Sequence, residues 1–124
     1  MMSCKAEHFL PHGVWWARVL RKEFGQYPAV HEVVTPILCN HCKDAACVKV
    51  CPSGATVKQD NGLVTVDYDK CVGCRYCMMA CPYGARSYHE RFEPYYPGKG
   101  ITPPEEMSKE TLQTGVVTKC TFCY

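Results

Sequence analysis

The sequence predicts a small α+β domain built from two related repeats, each consisting of a cysteine loop, a short helix and a strand. Eleven of the 124 residues are cysteines, and eight of these fall into two groups of four. The stretch Cys51-Pro52-Ser53-Gly54-Ala55, which ends the first group, recurs as Cys81-Pro82-Tyr83-Gly84-Ala85 at the end of the second. Between the groups, Asn61-Gly62 separates two β-branched runs and predicts a hairpin.

The spacing of these cysteines is typical of iron–sulfur clusters. The first group reads C-x2-C-x4-C-x3-C-P from Cys39, and the second reads C-x2-C-x2-C-x3-C-P from Cys71. The second run matches the bacterial ferredoxin pattern. Each tight loop turns three thiolates toward one small volume, and the proline after the fourth cysteine fixes the chain as it leaves. The sequence therefore predicts a ferredoxin-like dicluster fold with pseudo-symmetric repeats and two [4Fe–4S] clusters.

The spacing also predicts which cysteines share a cluster. In two-cluster domains of this kind, the cysteine of C-x3-C-P binds the other cluster. The predicted ligands of cluster A are Cys39, Cys42, Cys47 and Cys81. The predicted ligands of cluster B are Cys71, Cys74, Cys77 and Cys51. Crossed ligation ties the repeats into one core and makes the clusters neighbours, as an electron path requires.

Zinc is the main alternative to iron–sulfur. Cys39-x2-Cys42 with Cys71-x2-Cys74 would form a Cys4 zinc site, and a second site could use the other four cysteines. His41 lies inside the first loop, but eight cysteines already saturate two clusters, so we expect it beside the site rather than as a ligand. No Ser/His/Asp set, paired carboxylates or phosphate loop is visible, and no catalytic residue is predicted.

The chain around the two groups divides into further segments. In residues 14–20 the hydrophobic periodicity fits either a strand or a short helix. Pro28 and Pro36 predict an extended connector over residues 28–38. A short helix is expected to open at Pro104. The predicted segments are an outer half-motif and connector (1–38), a complete two-cluster domain (39–86), a turn-rich insertion (87–119) and the start of another cysteine motif (120–124).

Charge and hydropathy argue against two other classes of function. The formal net charge is +2, and binding of two clusters through thiolates would make the net charge negative. No dense Lys/Arg run is present, so we expect no nucleic-acid partner. No apolar run approaches the roughly 20 residues of a spanning helix, so we expect no direct membrane span.

Residues 39–55 and 68–86, with their cysteine motifs, resemble the four-cluster iron–sulfur subunits of respiratory oxidoreductases. That family includes the electron-transfer subunits of dimethyl-sulfoxide, polysulfide and tetrathionate reductases and of nitrite-reduction systems. The resemblance implies electron transfer between a quinone-reactive membrane-anchor subunit and a molybdopterin-dependent catalytic subunit. The chain would be a non-catalytic, peripheral subunit of a membrane-associated complex. The alternative is a free soluble two-cluster ferredoxin, which needs neither the insertion nor the outer half-motifs.

The resemblance extends to the two ends of the chain. Such subunits carry four cysteine motifs and four clusters. Cys4-Lys5-Ala6-Glu7 is similar to the end of the first motif, and Lys119-Cys120-Thr121-Phe122-Cys123 is similar to the opening of the fourth. The resemblance implies a partial outer site made of Cys4, Cys120 and Cys123. It also predicts that the chain is a fragment of a longer protein, cut inside both outer motifs.

Overall fold

The computed structural model describes residues 1–111 and 113–124 as short helices and two-stranded antiparallel sheets. The small α+β class predicted from the sequence is confirmed. The elements in chain order are α1 (Met2–Glu7), β1 (Arg18–Gln26), β2 (Ala29–Ile37), α2 (Ala46–Lys49), β3 (Thr56–Lys58), β4 (Val64–Val66), α3 (Tyr76–Met79), β5 (Arg86–Tyr88), α4 (Pro103–Thr111) and β6 (Val117–Lys119).

The longest sheet is a hairpin of β1 and β2. The two strands pair from Arg18 opposite Ile37 to Gln26 opposite Ala29, and the side chains of both strands are exposed except for the half-buried Ile37. The sequence predicted an extended connector over residues 28–38. The chain is extended there, but it also pairs with β1. Of the two conformations open for residues 14–20, the strand forms, and it begins at Arg18.

The predicted Asn-Gly hairpin is confirmed as β3 and β4. Thr56 lies opposite Val66, and Lys58 lies opposite Val64. In the turn, the Leu63 N–H donates to the side-chain oxygen of Asn61 over 3.0 Å. Gly62 takes a left-handed φ of 87°, which glycine adopts without steric cost.

Strands β5 and β6 pair across the long excursion that the sequence predicted as an insertion. Their register sets Arg86 opposite Lys119 and Tyr88 opposite Val117. The segment between β5 and β6 therefore begins at one strand and ends at its pairing partner. Both predicted boundaries of the insertion, residues 87 and 119, lie within these strands. Helix α4 confirms the expected helix near Pro104. Residue 112 of the predicted insertion lies outside the described residues.

A small apolar core joins the N-terminal segment to β6. Leu10, Val14, Trp16 and Cys120 form its buried centre. The Trp16 indole N–H donates to the hydroxyl of Thr118 over 3.0 Å. Because Thr118 belongs to β6, this bond fixes the N-terminal segment beside the strand that leads to Cys120. No helix within residues 1–111 and 113–124 has the length and hydropathy of a membrane-spanning segment.

Candidate metal centre

One cavity is lined by four cysteines that come from both cysteine groups. Those cysteines are Cys39, Cys42, Cys47 and Cys81. The rest of the lining comes from the short helical turns and loops that carry them, including Ala46, Pro82 and Arg86. The first three thiols follow one loop, whereas Cys81 comes from the end of the second group. The cavity therefore joins the two halves of the chain, and its cysteines are the four predicted for cluster A.

Cys77 interacts with two of the other three cysteines predicted for cluster B. Burial raises the pKa of Cys77, and the neighbouring charges of Cys51 and Cys71 raise it further, while the Arg86 guanidinium opposes this rise. Cys77 lies on α3 and is only 7% exposed. Cys74, the fourth member of the set, is exposed.

Cys51 is held in surroundings that favour its thiolate. Burial raises its pKa, but hydrogen bonds from Thr56, Ser53 and Ala55 outweigh this effect and lower the pKa to about 7. The Thr56 N–H donates to the Cys51 sulfur over 3.4 Å. The thiolate is the form of cysteine that binds metal, so these hydrogen bonds favour the ligating form of Cys51.

The three outer cysteines lie together where the two ends of the chain meet. Burial raises the pKa of Cys4, and the charges of Cys120 and Cys123 raise it further. Cys4 packs against the buried core that includes Cys120. The Cys123 sulfur lies 3.4 Å from Nε2 of His8. These are the three thiols of the partial outer site that the resemblance implies.

His41 supports the loops rather than standing free as a ligand. The Val64 N–H donates to its Nδ1 over 2.9 Å, so that nitrogen acts as an acceptor. Its ring lies 4.1 Å from the ring of Phe122. Burial and the nearby Lys119 ammonium lower the pKa of His41. A hydrogen bond to the backbone of Cys120 acts in the opposite direction. The ring holds the β3–β4 hairpin against the C-terminal segment.

Two buried cations beside the cysteines were missed by sequence reasoning. Arg86 and Lys119 are 6% and 1% exposed. Each directly follows or precedes a cysteine motif, but an isolated Arg or Lys in a sequence is usually solvated. Their burial depends on the pairing of β5 with β6. These strands are far apart in the sequence, so no local sequence pattern indicates the burial.

The donor chemistry fits iron–sulfur clusters. Thiolates are the ligands that such clusters use, four thiols surround one cavity, and a buried Arg86 nitrogen beside them has no hydrogen-bond partner among the described residues. Within residues 1–111 and 113–124, no group of three or more His, Cys, Asp or Glu side chains is arranged to hold a single metal ion.

Gly73, between Cys71 and Cys74, packs too tightly to accept a side chain. Its φ is +67°, and a Cβ there would lie 2.3 Å from the carbonyl oxygen of Gly115. The nearest neighbour of Gly73 among the described residues is the chain that leads into β6.

We expect Gly73→Ala to destabilise the protein by about 3 kcal/mol, because it adds a backbone clash to the cost of a left-handed alanine. Gly62→Ala is the matched control: its φ is +87°, with open space around the added Cβ. It should cost about 1 kcal/mol. Anaerobic denaturant titrations followed by circular dichroism measure both. Equal losses would contradict the steric explanation.

A small α+β domain with cysteines of both groups around one cavity is typical of a dicluster iron–sulfur protein. Residues 30–95 match the family described as the 4Fe-4S dicluster domain. The protein belongs to this family, whose cofactor is two [4Fe–4S] clusters. The predicted resemblance is confirmed.

Individual relatives extend the match over most of the chain. One subunit of the selenate reductase of Mesobacillus selenatarsenatis is 41% identical over 98% of this chain and 46% of its own length. Hdr-like menaquinol oxidoreductase iron-sulfur subunit 1 of Archaeoglobus fulgidus is 43% identical over 87% of this chain and 39% of its own. One polypeptide of the anaerobic dimethyl sulfoxide reductase of Escherichia coli is 52% identical over 64% of this chain and 33% of its own. The chain spans less than half of the length of these relatives.

Proposed function

We propose that this chain carries electrons through two [4Fe–4S] clusters as part of the iron–sulfur subunit of a respiratory oxidoreductase. The observation that carries the proposal is the cavity lined by Cys39, Cys42, Cys47 and Cys81. Membership of the dicluster family supports the cofactor. Relatives named as components of selenate and dimethyl sulfoxide reductases support the role.

In this proposal the ligands cross between the halves of the chain. Cluster A binds Cys39, Cys42, Cys47 and Cys81, and cluster B binds Cys71, Cys74, Cys77 and Cys51. Each half is then one copy of a duplicated unit. This is supported by the equivalent order of α2, Cys51-Pro52 and β3 in one half and α3, Cys81-Pro82 and β5 in the other.

The clusters supply one-electron redox chemistry, and the chain's own residues hold and shield them. Thr56 favours the thiolate form of Cys51 by donating to the sulfur. Cys77 on α3 is buried, so water has little access to that side of its centre. Substrate chemistry belongs to another subunit, since this chain supplies ligands and a path for electrons.

We propose two partners: a molybdopterin-containing catalytic subunit and a quinone-reactive membrane-anchor subunit. The protein is then a peripheral subunit of a membrane-associated complex. In the longer protein, two further clusters give a total of four. The meeting of Cys4, Cys120 and Cys123 supports an outer site there.

The β1–β2 hairpin supports docking to the catalytic subunit. Residues directly opposite in an antiparallel pair share a face, so Leu20, Phe24 and Val33 lie on one side. They are 56%, 48% and 48% exposed, and clustered exposed apolar residues mark interaction surfaces. The strand β1 residues Arg18 and Lys22 on this face are cationic. The face therefore suits an apolar partner surface with an acidic rim.

The base of the hairpin is attached to the loop after Cys81. The Arg18 guanidinium donates to the carbonyl of Tyr83 over 3.3 Å and to the carbonyl of Gly84. A partner bound to the hairpin would therefore lie beside the loop that carries a ligand of cluster A. This arrangement favours an oxidoreductase subunit over a free soluble ferredoxin, which needs no long exposed hairpin.

Anaerobic reconstitution tests the cofactor. We expect about eight iron and eight sulfide per chain for two clusters, with a visible band at about 400 nm that dithionite bleaches. A colourless protein with stoichiometric zinc would establish the zinc-binding alternative instead.

Variants of the β1–β2 hairpin test whether the catalytic subunit docks on its Leu20 and Phe24 face. Leu20→Ser with Phe24→Ser should lower the yield of catalytic subunit that co-purifies with the full-length protein by at least roughly tenfold, because apolar anchors dominate such interfaces. Val19 and Val34 lie on the opposite face of the same strands, so their double serine variant is the matched control. The iron content should stay unchanged in both. Equal loss of partner in the control, or no loss in either, would contradict docking through the first face.

A further inference from the structure

Two buried cations lie side by side near the cysteine centres. Arg86 on β5 is directly opposite Lys119 on β6, and the two are 6% and 1% exposed. Within the part of the chain that the structure describes, the salt bridges join other residues. Buried charges without a counter-charge are strongly unfavourable. Two such charges on adjacent strands therefore call for negative charge close by.

Arg86 faces cysteines of both predicted sets. It lines the cavity that contains Cys39 and Cys81, and Thr56, to which it donates a hydrogen bond, itself donates to the Cys51 sulfur over 3.4 Å. One guanidinium nitrogen, Nη1, donates to the hydroxyl of Thr56 over 3.3 Å. The other, Nη2, is buried without a partner among the described residues. The guanidinium thus lies between the two centres with a donor still available.

Lys119 lies near a cysteine of the cluster A set. It directly precedes Cys120, which belongs to the buried core against which Cys39 packs. Its ammonium group also donates to the carbonyl of Cys120 over 2.7 Å. Lys119 therefore lies beside cluster A in the proposed assignment, on the side toward the outer cysteines.

We propose that Arg86 and Lys119 are internal counter-charges of the clusters, with Arg86 acting on both clusters and Lys119 on cluster A alone. This inference rests on the proposed function. A cluster with four thiolates carries about −2 when oxidised and gains one electron and one negative charge on reduction. A buried cation favours the reduced form because the interior screens its charge weakly. The two residues raise the reduction potentials and offset the cost of burying the clusters.

Redox titration of the reconstituted chain, followed by electron paramagnetic resonance, tests this inference. We expect two one-electron steps, one for each cluster, with dithionite as reductant. Arg86→Gln should move both steps to lower potential, and Lys119→Gln should move one. We expect each shift to be roughly tenfold in the equilibrium constant, or about 59 mV for one electron. Arg86→Lys and Lys119→Arg keep the charge and should stay close to wild type.

Lys49→Gln is the matched control for loss of one positive charge. Lys49 lies between Cys47 and Cys51, but its side chain is 65% exposed and pairs with Asp44. Water screens such a charge, so this variant should shift neither step appreciably. A shift in Lys49→Gln as large as in Arg86→Gln would overturn the inference, because overall charge would then explain both.

Iron and sulfide are counted in every variant before the titration. Failure of Arg86→Gln to hold clusters while Arg86→Lys holds them supports charge compensation. Full clusters with unchanged potentials in both glutamine variants would overturn the inference, and so would an Arg86→Lys variant as impaired as Arg86→Gln. A wild-type chain that takes up no iron would instead refute the proposed function.

Discussion

Cys51→Ser is expected to remove cluster B, although Cys51 belongs to the first cysteine group, and Cys81→Ser is expected to remove cluster A. Serine keeps the size of cysteine but replaces the thiolate that the cluster requires. Each variant should retain roughly half of the wild-type iron. Cys123→Ser is the matched control. Cys123 is exposed and lies outside both predicted sets, so this variant should keep both clusters.

Double variants distinguish crossed from uncrossed ligation. If Cys51 and Cys71 bind the same cluster, their double serine variant loses one cluster and keeps the other. The double variant of Cys51 and Cys39 then loses both. Uncrossed ligation predicts the reverse pattern, with both clusters lost in the first pair and one kept in the second. Iron content and the amplitude of the visible band measure the difference, and the reversed pattern would show the crossed assignment to be wrong.

Removal of the clusters is expected to unfold residues 39–86. The buried apolar side chains in this segment are small: Ala45, Ala55, Val64, Cys77 and Ala85. Burial of an alanine contributes much less than burial of a leucine or phenylalanine. Short chains with so little core depend on metal for stability, and binding energy becomes folding energy. Paired helical turns and three-residue strands cannot compensate for its loss.

Hydrogen exchange measured before and after chelation tests this dependence. Backbone amides in β3, β4 and α3 should lose protection by at least about a hundredfold. The β1–β2 hairpin is the internal comparison, because its strands contact mainly each other and should change much less. Retention of full protection in the cluster-free protein would mean that the polypeptide core alone holds the fold.

Local sequence patterns were sufficient for the features that are themselves local. The spacing around Cys39 and Cys71 predicted the cofactor, because three thiols on one tight loop determine what that loop can bind. Asn61-Gly62 predicted the β3–β4 hairpin, because a left-handed glycine determines the turn. The exact ligand set stays a prediction, which the serine variants can test.

The sequence by itself determined the class of cofactor and the small α+β architecture of this protein. Only the tertiary structure decided that residues 29–37 pair with β1 and that β5 pairs with β6. That second pairing buries Arg86 and Lys119 beside the cysteines. The physical reason is that burial of a charge depends on contacts between residues far apart in the chain. Cysteine spacing is read within one loop, whereas the surroundings of those two cations form only when distant strands meet.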